Sequence, residues 1–197
     1  MTVRLGIMGG TFDPIHHGHL VCAEEALHAL QLDSVLFVPA GAPWQKEGRV
    51  MSSAEDRYVM VCLAAGGDAR FAVSRQEMDR AGPTYTVDTL RALRHEHHEP
   101  AELFFLAGSD AVAQISTWRQ PDEVMDLATV VAAARPGHEL PLTLANDPRI
   151  RVLPIPQLAI SSSDIRSRVA SGLPWRYMVP KPVADYVSSR GLYAGHS

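Results

Sequence analysis

The sequence predicts an α/β fold: a doubly wound, Rossmann-like parallel sheet with helices on both faces. Two observations predict it. Short β-branched or apolar runs alternate with helix-period segments from one end of the chain to the other, and such alternation builds a parallel sheet covered on both faces. The first apolar run also ends in Gly9-Gly10 and leads into a helix-like segment, the type of strand-to-helix turn at which these sheets bind anions. There is no internal repeat, low-complexity segment or interdomain linker. Residues 1–197 therefore read as one domain, with a small helical portion from about residue 160.

In chain order, Val3–Met8 alternates as a strand, and Leu20, Ala23, Leu27 and Leu30 give His19–Leu30 a helical stripe. Ser34–Pro39 reads as a buried strand, and residues 40–50 as a loop with Gly41, Pro43 and Gly48. Ser52-x-x-Glu55 has the form of a capping box opening a helix to about Ala65. A strand at Phe71–Arg75, a helix at Thr86–His97 and a strand at Glu102–Ala107 follow. Short helices are expected at Asp110–Ile115 and Pro121–Leu127, the latter with proline at its first position. Thr129–Ala134 and Ile150–Ile155 are two more strands, and helices at Ser162–Ala170 and Val183–Arg190 end at Gly172 and Gly191.

Composition narrows the function classes. Eighteen Lys+Arg against 22 Asp+Glu give a net charge of −4, which argues against nucleic-acid binding by broad phosphate neutralisation. No apolar run reaches the length of a membrane span, and the N-terminus lacks signal-peptide features. The two cysteines, Cys22 and Cys62, form no CxxC, so a zinc ribbon or disulfide framework is not expected and a reducing cytoplasm fits. A homo-oligomer is compatible with all of this. Only two of the 18 basic residues, Lys46 and Lys181, are lysines.

Two segments carry chemistry. Gly9-Gly10-Thr11-Phe12-Asp13-Pro14-Ile15-His16-His17-Gly18-His19 is glycine-rich and leads into a helix, yet contains neither GxGxxG nor GK[ST]. Instead His16 and His19 bracket Gly18 at the helix start, where unpaired N–H groups meet a ligand. Imidazoles there add directional donors toward charge building on phosphorus. Asp13 is left with two readings, a turn cap or an approach to Mg²⁺. The second segment, Ile160-Ser161-Ser162-Ser163-Asp164-Ile165-Arg166, opens a helix with Ser162 and Arg166 at i and i+4. Its hydroxyls, N–H groups and guanidinium suit a di- or triphosphate tail. The histidines at 95, 97 and 98 are read as a solvated helix end.

The first segment resembles the GxFxPxHxGH signature of the nucleotidyltransferase superfamily, and the second its ISSTxIR motif, with serine for threonine at Ser163. Gly82-Pro83-Thr84-Tyr85-Thr86, Gly108-Ser109-Asp110, Ser116-Thr117-Trp118 and Ala134-Arg135-Pro136-Gly137 resemble, in order, blocks of the nicotinate-nucleotide adenylyltransferases. The resemblance implies transfer of AMP from ATP to nicotinate mononucleotide in NAD biosynthesis, with Mg²⁺ accompanying ATP and no dedicated protein metal ligand. By the same resemblance His16, His19 and Arg166 are the catalytic groups. Gly9, Gly10, Thr11, Phe12, Gly18, Gly108, Asp110, Ser161, Ser162 and Ser163 bind ATP. Lys46, Thr86, Trp118 and Arg135 bind the acceptor. Lys46 lies in Pro43-Trp44-Gln45-Lys46, where family members show PPHK, and is expected to close onto a phosphate. Neutral donors are expected around the nicotinate carboxylate, because a nearby carboxylate would repel it. The alternatives are a sister enzyme taking nicotinamide mononucleotide or phosphopantetheine, a fragment of a class I aminoacyl-tRNA synthetase, and a non-catalytic nucleotide sensor. Neither the lysine loop nor the tRNA-binding domain of such a synthetase is evident, and a sensor has no need of transition-state donors.

Overall fold

The computed structural model describes residues 2–42, 52–96, 101–134, 140–156 and 158–195. Its centre is a parallel sheet in the order β3-β2-β1-β4-β5-β6. The strands are β1 (Val3–Gly10), β2 (Ser34–Pro39), β3 (Phe71–Val73), β4 (Ala101–Gly108), β5 (Thr129–Ala134) and β6 (Ile150–Pro154). The chain builds outward from β1 to β3, then returns to the middle to lay β4 against β1, with Met8 opposite Leu106. The order reverses at that pair, and a crevice opens beyond their carboxyl ends.

The period-two alternation of the strands sends side chains to two separate cores. On one face Met8, Phe104 and Leu106 meet α1 (His17–Ala29), α2 (Ala54–Ala65), α7 (Ser162–Ala170) and α8 (Lys181–Ser189), through Ala23, Leu27, Met60, Ile165 and Val183 among others. On the other face Leu5, Ile7, Leu103 and Phe105 meet α3 (Thr86–Glu96), α4 (Ser109–Val112) and α5 (Pro121–Leu127), through Val87, Leu90, Val112 and Val124. Each fully buried aliphatic side chain contributes about 1.5–3 kcal/mol of transfer free energy. Burying both faces explains why the strands read as near-continuous apolar runs. No helix among the described residues is long and apolar enough to cross a membrane.

The structure moves several expected boundaries. α1 starts at His17, with His16 as its N-cap. β3 and β6 stop at Val73 and Pro154, and α8 starts two residues before Val183. The expected helix at Asp110–Ile115 splits into α4 and a 3-10 turn at Ile115–Thr117. A further short helix, α6 (Leu142–Ala145), has no apolar stripe to announce it, and none of its residues is buried. The Ser52–Glu55 capping box does not form. Ser53 is the cap instead: its Oγ accepts from the Asp56 N–H at 3.0 Å, and Glu55 turns outward to Arg75. Ser52 is occupied elsewhere, its N–H donating to Asp13 Oδ1 at 3.4 Å and its carbonyl accepting from Arg57 Nε at 3.4 Å.

Candidate active site

The first loop leaves β1 at Gly10, where a Cβ would stand 3.0 Å from the Phe12 ring. Phe12 is in the left-handed region (φ 51°) and buried. Its ring meets His19 edge-on at 5.1 Å and Phe37 at 6.0 Å, bracing His19 from behind. His16, 3% exposed, stacks on His19 with ring centroids 3.8 Å apart. A Cβ at Gly18 would be 3.0 Å from the His16 ring, so the glycine admits the imidazole as much as any ligand. The His16 N–H donates to His19 Nδ1 at 3.2 Å. That bond leaves Nε2 as the protonated, donating nitrogen of a neutral His19 ring.

The second loop is bonded to the first. Ser161 caps α7, its Oγ accepting from the Asp164 N–H at 3.1 Å. Ser162 Oγ donates to the Pro14 carbonyl at 2.9 Å. Arg166 Nη1 donates to the Asp13 carbonyl at 2.7 Å, across 153 residues of sequence, and its Nη2 donates to Ser163 Oγ at 3.1 Å. Ile165 between them is fully buried and anchors the helix, so the polar face is fixed by the apolar one.

Between β1 and β4 lies a cleft of about 170 Å³, lined by Gly9, Gly10 and Thr11 on one side and by Thr84, Tyr85, Thr86 and Trp118 on the other. Trp118 stands edge-on to Phe105 at 5.7 Å. Thr86 is half-buried at the start of α3. Asp110 is exposed beside Gly108, where a Cβ would meet its Oδ1 at 2.5 Å. The cleft also has Glu77 and Arg119 in its wall, which the sequence reading did not select. Glu77 is buried and accepts from the Thr89 hydroxyl at 2.6 Å; burial pushes its carboxyl above the ordinary range. The Arg119 guanidinium lies 4.7 Å over the Tyr85 ring and 4.0 Å from Asp88. The cleft thus holds a buried carboxyl and a cation beside the neutral Thr84 and Thr86.

The cytidylyltransferase-like family model matches residues 7–168, spanning both loops and the cleft. A nicotinate-nucleotide adenylyltransferase of Corynebacterium kroppenstedtii is 52% identical over 192 residues, covering 96% of this chain and 90% of that one. One from Streptomyces coelicolor is 53% identical, covering 95% of this chain and 100% of that one. The chain belongs to the nicotinate-nucleotide adenylyltransferase family. The same fold is found in the Plasmodium falciparum nicotinic acid mononucleotide adenylyltransferase complexed with NaAD, at a TM-score of 0.81 and 18% identity, with 97% of each chain covered.

Behind the first loop of this adenylyltransferase-family chain sits Arg57, 1% exposed. It donates to the carbonyls of Thr11 (3.0 Å), Ala40 (2.6 Å) and Gly41 (3.0 Å), besides that of Ser52. One guanidinium thereby satisfies four carbonyls and ties the first loop to the end of β2 and the start of α2. Of the expected site residues, His16, His19, Gly18, Ser162 and Arg166 converge around the two loops, and Thr86 and Trp118 share the cleft with Gly9 to Thr11. Lys46 and Arg135 lie outside the described residues, as do Trp44 and Gln45.

Proposed function

We propose that the protein transfers the adenylyl group of ATP to the phosphate of nicotinate mononucleotide, yielding nicotinate adenine dinucleotide and pyrophosphate, a step of NAD biosynthesis. The observation that carries this reading is the bonded pair of loops bearing His19 and Arg166, the first of which also supplies Gly9, Gly10 and Thr11 to the wall of a cleft shared with Thr86 and Trp118. The acceptor phosphate is its own nucleophile: with a second pKa near ~6 it is largely dianionic at neutral pH, so the site needs no general base. Catalysis is then positioning and neutralisation of a crowded anionic centre.

His19 presents Nε2–H to the α-phosphate, where charge develops, and His16 holds the ring from beneath. Arg166, Ser161, Ser162 and Ser163, with the N–H groups at the start of α7, hold the β- and γ-phosphates. Asp110 takes a ribose. Thr86 and Trp118 hold the pyridine ring, and Arg119 supplies the positive charge that favours a nicotinate acid over a nicotinamide amide. Glu77 belongs to the cleft wall, where Thr89 engages it.

Mg²⁺ with ATP belongs to the same reading. No group of three or more His, Cys, Asp or Glu among the described residues is placed to cage a metal. Asp13 Oδ2 is buried without a hydrogen-bond partner among them, but behind the loop rather than in the crevice. In this reading the cation is carried on the triphosphate with its own waters. When bound it supplies neutralisation of the phosphate oxygens. Small nucleotides are the partners in this reading, and the cytoplasm is its compartment.

The test is pyrophosphate release by the purified protein with ATP and Mg²⁺, comparing nicotinate with nicotinamide mononucleotide. Release with the acid, at a rate well above that with the amide, is expected. No release with either acceptor refutes the activity, and equal rates refute the preference.

A further inference from the structure

The end of the chain folds back onto the phosphate loop. After α8, Gly191 (φ 63°) turns the backbone, and its neighbour Leu192 bonds back to the Val187 carbonyl at 3.0 Å. Tyr193 then also takes a left-handed conformation, φ 64°. For a bulky residue this conformation is disfavoured, so the surroundings must impose it. It aims the ring inward, and the hydroxyl donates to Asp13 Oδ1 at 2.7 Å across 180 residues. Phe12, the residue before Asp13, is held in the same region.

Asp13 is thus a junction. Its side chain receives Tyr193 and the Ser52 N–H, and its carbonyl receives Arg166. Burial, reinforced by Asp13, pushes the Tyr193 phenol far up, so the hydroxyl remains a donor at any assay pH. Tyr186, on the same terminal segment, offers a built-in contrast: its hydroxyl donates to Asp56 Oδ1 at 2.9 Å, on α2 and away from the loop carbonyls.

We propose that Tyr193 is a positioning residue for the reaction: by holding the Asp13 carboxylate it sets the carbonyl on which Arg166 is aligned for the triphosphate. The proposal rests on the adenylyl-transfer reading and goes beyond it by making the last turn of the chain part of the site. It follows that the two hydroxyls of the terminal segment differ in kind, one serving the site and the other only the fold.

The experiment compares Tyr193→Phe and Tyr186→Phe in the full chain, each alone and each combined with Arg166→Ala, by steady-state pyrophosphate release with thermal unfolding alongside. Tyr193→Phe is expected to lower kcat/KM for ATP about tenfold, the scale of one lost hydrogen bond to a charged group. The KM for the acceptor should stay within about twofold of the parent. Tyr186→Phe should lower the melting temperature without that loss. In the Arg166→Ala background the Tyr193→Phe effect should shrink below about twofold, as for residues acting through one another. Equal kinetic losses for the two phenylalanine variants, or an undiminished loss in the Arg166→Ala background, would overturn the proposal. A parent protein releasing no pyrophosphate overturns the functional reading, and this inference with it. Should Tyr193→Phe not fold, Asp13→Asn and Asp13→Leu read the same chain of contacts. Asparagine keeps the acceptor oxygen and leucine deletes it, so leucine should raise the KM for ATP well above asparagine, and equal values overturn the proposal.

Discussion

Where the triphosphate is proposed to lie, the polar groups come from two contiguous stretches, 9–19 and 160–166, and are tied to one another through the Asp13 and Pro14 carbonyls. Where the acceptor is proposed to lie, the wall is gathered from the ends of β1 and β4, the turn before α3, and the Trp118 segment. The two ends also differ in support. The first loop is pinned from behind by Arg57 through four carbonyls. The cleft instead rests on aromatic edges and on one buried carboxyl among hydroxyls. The two regions thus differ in what holds them: backbone carbonyls gathered on one guanidinium in the first, and side-chain packing in the second.

The comparison can be broken most directly at His19. His19→Ala should cut kcat about 100-fold or more, the scale for losing a donor to developing charge, with little change in the KM for the acceptor. Near-parental turnover would make the histidine a packing residue on Phe12 and remove the triphosphate end's claim to the chemistry. Trp118→Ala should do the opposite. It should raise the acceptor KM about tenfold, as for loss of one aromatic anchor, and leave the KM for ATP nearly fixed. A shift in both constants would show the two ends to be mechanically coupled rather than separate.

The smallest effect concerns Glu77 and is read in stability. Its folded pKa is raised above the ordinary 4.5 by burial, so the folded state holds its proton longer than the unfolded chain. Stability is therefore lost as pH climbs from about the unfolded value of 4.5 through the folded one. Glu77→Gln keeps an acceptor for Thr89 but cannot ionise. The melting temperature of the parent relative to that of the variant should fall with rising pH across that window. Parallel curves would mean that the carboxyl titrates in the fold as it does in the unfolded chain and that burial does not set its pKa.

The two loops that the fold bonds together were legible because they carry local patterns: glycines at a strand end, histidines three apart, and a serine and arginine four apart on a helix. α7 was read to its residue limits for the same reason. The acceptor end was legible only in part. Thr86 and Trp118 came from resemblance, whereas Glu77 and Arg119 acquire meaning only when crossovers bring β3's exit and the Trp118 turn to one cleft. Arg57 shows the limit of periodicity: a charge on a helix face reads as solvated until the carbonyls around it are known. The Ser52 box failed similarly, since Ser53 presents the same chemistry one residue later and Ser52 is drawn to Asp13 and Arg57. α6 was missed because none of its residues is buried, so no stripe was required of it.

Arg166 rests on a carbonyl and a serine hydroxyl of the chain itself. In the proposed reaction a triphosphate therefore meets a guanidinium whose direction the fold sets, and little ordering entropy remains to be lost on capture. The proposed clamp would then return to readiness between turnovers by exchange of partners rather than by refolding.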